Sequence, residues 1–202
     1  MKLLEYKLIP LLICLFFLYA TGPVLGQNIF DWSPEYTLKK SDFMGTKAYV
    51  SGEVFTVHAA STINFSYHMS NYEFMLTKNF NSKVSTTFNR TASFIIAPDS
   101  ATENKLINFA QTQFDLLELY ARKFRKSMFE NKKAFSDPGF YQILYDQVME
   151  EYTVKVSDLS QLTNLGMAEA RLAEQHKEIL DEISTLAEFC KECKPRKKKK
   201  SN

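Results

Sequence analysis

The sequence predicts an α+β fold in which a three- to four-stranded, mainly antiparallel sheet is followed by two to three helices. Between residues 48 and 96, β-branched and aromatic residues cluster or alternate with polar ones, which is the period of a half-buried strand. From residue 100 onward, apolar residues recur every three or four positions, which is typical of amphipathic helices. Strands first and helices after indicate a domain whose helices cover one face of a sheet.

The first 26 residues have the pattern of a secretory signal peptide. A short start with Lys2 and Lys7 precedes an apolar run over 11–20, and Gly26 places a small residue at the expected cleavage site before Gln27. The alternative is an uncleaved membrane anchor, but the run is shorter than the roughly 20 residues that a span needs. We therefore expect a secreted or periplasmic mature chain without a transmembrane span.

The predicted sheet follows a polar N-terminal segment, 27–45, in which Trp32 and Phe43 are the expected apolar anchors. The alternation of Ile63, Phe65, Tyr67 and Met69 with polar residues is the clearest strand signal. The predicted strands are 48–57, 63–69, 72–76 and 84–96, the last being one strand or a broken pair.

Three helices are predicted after the strands. Ser100 and Glu103 have the spacing of a capping box, which begins the first helix, 103–130. Glu118 and Arg122 on this helix are expected to form an i,i+4 pair on the solvent face. The second helix begins at Asp137-Pro138 and extends to about 156, and the third covers about 167–189.

Composition predicts one domain over 27–190 and a flexible Lys-rich tail over 191–202. Residues 27–193 hold 17 basic and 22 acidic residues, so the body carries a formal charge of about −5, which argues against nucleic acid as the partner. Cys190 and Cys193 are expected to form a small disulfide loop or to remain free thiols, since no further zinc ligands lie nearby.

Landmarks along the chain match a known pattern in order. The N-terminal segment resembles a Trp-Ser…Leu-Thr-Trp-x-Asp-Phe-x-Gly opening, and the first helix resembles His-Glu-Gln-x-His-Phe-Asp-Ile-x-Glu-Leu-Tyr-Ala-Arg-Lys. The matching stretches are Trp32-Ser33, Leu38, 42–45, Phe88-Asn89, 93–95, Gln111, Phe114-Asp115 and Glu118-Leu-Tyr-Ala-Arg-Lys123.

Over about residues 30–188 the chain thus resembles the bacterial secreted proteins grouped as domain of unknown function 922, which are predicted zinc-dependent proteases. The resemblance implies a zincin-like fold. It places Phe109 and Gln113 where the family has its two helical His ligands, and Ala110 where it has the catalytic Glu. The third His corresponds to Leu165, on the match of Thr163 and Gly166.

These substitutions remove the chemistry of the family's site. Catalytic zinc needs about three N or O donors and an open water position. Phe offers no donor, a neutral amide is a poor ligand, and Ala110 cannot accept a proton from water. We therefore expect Phe109 and Ala110 to pack in the core, no bound metal or cofactor, and a hydrogen-bond partner for Gln113 if it is buried.

The sequence accordingly predicts a secreted, non-catalytic member of a zinc-protease-like family that binds a polypeptide or a component of the bacterial envelope. The first alternative is an active zinc-dependent peptidase with a non-standard site built from His58, His68 or Asp115. His176 is expected to be an isolated surface residue, and Asp115 with Glu118 a weak candidate for paired-carboxylate catalysis. In the second alternative, the Cys-x-x-Cys and the Lys-rich tail hold the domain at an anionic surface.

Overall fold

The computed structural model is an α+β domain in which small antiparallel sheets precede three long helices. It describes residues 28–46, 54–65, 68, 70–133 and 139–196, so the predicted signal peptide and the Lys run at 197–200 lie outside the described residues. The elements are β1 (Ile29–Asp31), β2 (Thr56–His58), β3 (Ser61–Phe65), α1 (Asn71–Leu76), β4 (Val84–Asn89), β5 (Phe94–Ile96), α2 (Ser100–Asn131), α3 (Phe140–Thr163) and α4 (Glu169–Thr185).

The main sheet has three antiparallel strands in the order β1–β4–β3, and β2 pairs with β5 in a separate two-stranded ladder. The predicted 84–96 segment is a broken pair, because a 3-10 turn over Arg90–Ala92 separates β4 from β5. β1 was not predicted, and three residues are too few to show an alternation. Of the predicted strand 48–57, residues 48–53 lie outside the described part of the chain, and only its end forms β2.

The predicted strand 72–76 is wrong, since these residues belong to helix α1. Ser70 caps this helix, and its hydroxyl accepts a hydrogen bond from the backbone N–H of Glu73 at 3.2 Å. Phe74 is 3% exposed, whereas Tyr72 and Leu76, which an inward strand face would bury, are 71% and 66% exposed. The N-cap therefore decides the local structure against the apolar alternation.

Helix α2 is the central element and contacts the sheet, α3 and α4. Its N-cap is Asp99 rather than Ser100: the Asp99 carboxylate accepts a hydrogen bond from the Thr102 N–H at 2.7 Å. Apolar side chains of α2 fill the two hydrophobic clusters of the domain. Because neighbours pack on several sides, polar residues of this helix are buried as well as apolar ones.

The turn between α3 and α4 lies tightly against α2. Asn164, Leu165 and Gly166 all have positive φ, of 47°, 53° and 90°. A Cβ on Gly166 would lie 2.7 Å from the Lys105 carbonyl oxygen and 3.0 Å from the Phe109 Cβ, so only glycine fits there. The turn therefore fixes Leu165 next to the N-terminal half of α2.

Candidate functional site

The positions that the resemblance assigns to a zinc site are packed. Phe109 is 2% exposed and belongs to one apolar cluster, and Ala110 is fully buried in the other. Leu165 packs against both clusters, so the three residues lie in one region of the core. No described group of three or more His, Cys, Asp or Glu residues is arranged to hold a metal ion.

Gln113 is half-buried and finds a partner on α3, the Tyr152 hydroxyl. Burial raises the pKa of Tyr152 to about 12, and the hydrogen bond with Gln113 opposes this rise. The Tyr152 ring also packs edge-on against the Tyr120 ring, with centroids 5.8 Å apart. The amide therefore belongs to an aromatic contact between α2 and α3.

Burial of the Tyr152 hydroxyl makes the free energy of unfolding depend on pH in the alkaline range. The unfolded Tyr152 ionises near its ordinary pKa of 10.0 and the folded one near 12, so the folded state keeps the proton longer and loses stability between these values. The loss should be roughly 2–3 kcal/mol above pH 12 and roughly half of that at pH 11. We expect Tyr152→Phe to remove this part of the loss in urea unfolding at pH 9–11. Tyr72→Phe, at a 71% exposed position, should leave it unchanged, and equal curves for Tyr152→Phe and the wild type would contradict the assignment.

The expected exposed pair Glu118–Arg122 is in fact buried, with Glu118 3% and Arg122 7% exposed. Glu118 accepts hydrogen bonds from Arg122 Nε at 3.0 Å, Arg125 at 2.8 Å and the Thr86 hydroxyl at 2.8 Å. Arg125 is 1% exposed and also donates to the carbonyls of Val84 and Phe189. The prediction of a solvent-exposed pair failed because the C-terminal segment, residues 183–193, covers this face of α2.

That C-terminal segment is held by side chains of the body. Arg122 donates to the Ile183 carbonyl at 2.9 Å, and Asn79 and Asn81 donate to the Cys193 carbonyl at 3.2 and 3.0 Å. Cys190 and Cys193 form a disulfide. The residues up to Cys193, which include the start of the predicted tail, are thus in contact with the domain.

A cleft of about 650 Å³ opens on another face of α2, between this helix, α4 and the segment Trp32–Thr37. Asp115 lies at its floor and is 4% exposed. Its carboxylate accepts hydrogen bonds from Trp32 Nε1 at 2.7 Å and Gln111 Nε2 at 3.0 Å, and lies 2.8 Å from His176 Nε2. The side-chain Oε1 of Gln111 in turn accepts a hydrogen bond from the Leu38 N–H at 2.8 Å.

His176 is therefore not the isolated surface residue that the sequence suggested. It lies 61 positions from Asp115, and only the packing of α4 on α2 brings the two together. Trp32, which was expected as an apolar anchor, and Gln111, which was a landmark of the resemblance, complete the group. Their position in a matching motif was the only signal in the sequence that could have pointed to them.

The other candidates are not assembled into a site among the described residues. His58 is exposed and packs its ring on Phe94 of β5, with centroids 5.5 Å apart. His68 is exposed as well. Asp115 and Glu118 have separate partners, since Asp115 contacts Trp32 and His176 whereas Glu118 pairs with two arginines. The paired-carboxylate candidate is therefore wrong for this arrangement.

In the part of the chain that the structure describes, no helix is both long and apolar enough to span a bilayer. Comparisons with protein-family models, with curated proteins and with solved structures give no match for this chain.

Proposed function

We propose that this protein is a secreted, non-catalytic binding protein on a zinc-protease-like scaffold, whose partner is a polypeptide or an envelope component. The observation that carries the proposal is the enclosure of Phe109 and Ala110. A zinc-bound water and its general base need an open, polar position. Two side chains at 2% and 0% exposure that contribute only carbon atoms leave no such position on this face of α2.

The placement of the third position supports the same proposal. The resemblance assigns the third ligand to Leu165, and the turn that carries it contacts α2 at Phe109. Phe109 and Gln113 are four residues apart on one helix, so side chains at these positions share a face. Phe109 thus contacts the turn that carries Leu165 and shares a helix face with Gln113, an arrangement that supports the proposal although the present side chains are not ligands.

Metal content tests the proposal. We expect the mature chain, purified and dialysed against a weak chelator, to contain far less than one zinc per molecule. The triple variant Phe109→His, Gln113→His, Leu165→His should approach one zinc per molecule because it restores three imidazoles. The matched control carries only the first two substitutions and should lose most of its zinc on dialysis.

Two outcomes would contradict the proposal. Near-stoichiometric zinc in the wild-type chain, lost on chelation together with peptidase activity, would establish the alternative of an active peptidase with a non-standard site. A triple variant that is folded, as judged by circular dichroism, but binds no more zinc than its control would show that the zincin-like placement of these residues is wrong.

A further inference from the structure

The cleft above Asp115 has a charge that its protein contacts do not balance. The carboxylate is buried, and its three partners are an indole N–H, an amide N–H and an imidazole nitrogen. With a neutral imidazole, none of these partners brings a full positive charge. The three hydrogen bonds stabilise the carboxylate but leave its negative charge in place, and this charge favours a cationic ligand nearby.

The lysine and arginine that lie nearest to the cleft along α2 are engaged elsewhere. Lys105, on its rim, pairs with Glu169 at 2.8 Å. Arg122 pairs with Glu118, donates to the Ile183 carbonyl and places its guanidinium 5.5 Å from the Trp32 ring centre. The charged groups that line the cleft, Asp115, Glu169 and Lys105, therefore sum to about −1.

His176 has a ring nitrogen, Nδ1, that can accept a hydrogen bond from a ligand. Its Nε2 faces Asp115, so in the neutral ring Nε2 carries the hydrogen and Nδ1 is the acceptor. No described residue hydrogen-bonds to Nδ1, and the side chain is 31% exposed. A donor bound at Nδ1 would have the buried carboxylate directly behind the ring, which favours a donor that carries positive charge.

The apolar side chains that line the cleft indicate the chemistry of the rest of the ligand. Leu172, Ala173 and Leu180 of α4 supply an aliphatic wall, and Trp32 supplies an aromatic one. Aliphatic carbon packs on such walls, and an aromatic face attracts a cation. We propose that this cleft binds a primary ammonium group attached to an aliphatic chain, with the ammonium donating to His176 Nδ1. The inference assigns a ligand class to the proposed binding function and rests on it.

Intrinsic fluorescence tests this inference, because Trp32 is the only tryptophan of the chain and lines the cleft. Butylammonium should change the Trp32 emission saturably, whereas butanol and butyrate at the same concentrations should not. His176→Leu removes the acceptor and Asp115→Asn removes the charge behind the ring, so each should weaken ammonium binding at least about tenfold. Asp181→Asn removes a 66% exposed carboxylate of α4 outside the cleft and should leave the affinity unchanged.

Three peptides of equal length distinguish the sources of the ammonium group. One has a single Lys and an acetylated N-terminus, one has norleucine and a free N-terminus, and one has norleucine and an acetylated N-terminus. Binding of either of the first two and not the third identifies a polypeptide source; binding of butylammonium alone identifies a small amine.

The inference is overturned if butylammonium gives no saturable change, if butanol or butyrate acts equally, or if both cleft variants keep the wild-type affinity. A variant that fails to unfold cooperatively is set aside, and the other then decides. Zinc content does not enter the titration, so this inference and the proposed loss of zinc chemistry can fail separately.

Discussion

Replacing Glu118 by Ala is expected to destabilise the domain by about 3–5 kcal/mol, because it leaves two buried guanidinium groups without their anion. Arg122 and Arg125 are 7% and 1% exposed, and both pair with the same carboxylate oxygen. Their remaining acceptors are backbone carbonyls, which carry no net charge to offset two cations. Chemical unfolding monitored by circular dichroism measures the change in free energy.

Two variants separate charge from general truncation. Glu118→Gln keeps the length of the side chain and removes its charge, so we expect an intermediate loss. Glu103→Ala removes the pair with Lys40, which is 72% exposed, and should cost less than about 1 kcal/mol. A Glu118→Ala variant as stable as Glu103→Ala would show that the arginines are solvated and that the network does not hold the C-terminal segment.

This network also explains what the family-like motif on α2 does in this chain. Asp115, Glu118 and Arg122 belong to the stretch that carries the resemblance, and each makes a buried or half-buried polar contact with a distant part of the chain. Asp115 accepts a hydrogen bond from the Trp32 indole N–H, and Glu118 accepts one from the hydroxyl of Thr86 in β4. These residues position the N-terminal segment and the sheet around α2 through hydrogen bonds that do not involve a metal.

Local signals in the sequence predicted the helices well. The apolar period of these segments is a property of short windows, and the structure has helices at 100–131, 140–163 and 169–185. Asp137-Pro138, where the second helix was predicted to begin, lies outside the described residues. The short elements were less predictable. In α1 the apolar alternation and the Ser70 cap gave opposite indications, and the alternation was weighted more heavily.

The candidate site was less predictable than the fold, because it depends on contacts between distant residues. Asp115 and His176 are 61 positions apart, and Trp32 lies 83 positions from Asp115. Burial of Glu118 and Arg122 was missed for the same reason, since an i,i+4 ion pair is usually solvated unless another segment covers it. The apolar period did indicate correctly that Phe109 and Ala110 face the interior.

The burial of Ala110 gives the second large effect. Ala110→Glu, which introduces the general base that the resemblance implies at this position, is expected to destabilise the domain by at least about 3 kcal/mol. Ala110 is fully buried, among Phe114, Ile95 and other members of its cluster. The new carboxylate would enter an apolar region that offers neither a cation nor water. In an active protease the same Glu faces an open cleft beside the metal.

Ala110→Gln has nearly the same volume without the charge, so its smaller loss measures the overpacking together with the burial of a neutral amide. Asn104→Glu adds a carboxylate at an exposed position of α2 and should leave the stability within about 0.5 kcal/mol of the wild type. Unfolding in urea at pH 7 gives all three values. If Ala110→Glu is no less stable than Ala110→Gln, the carboxylate reaches water, and a passage to this face of α2 must exist. In that case the packing of Phe109 and Ala110 would no longer exclude catalysis there, and the non-catalytic proposal would lose the observation that carries it.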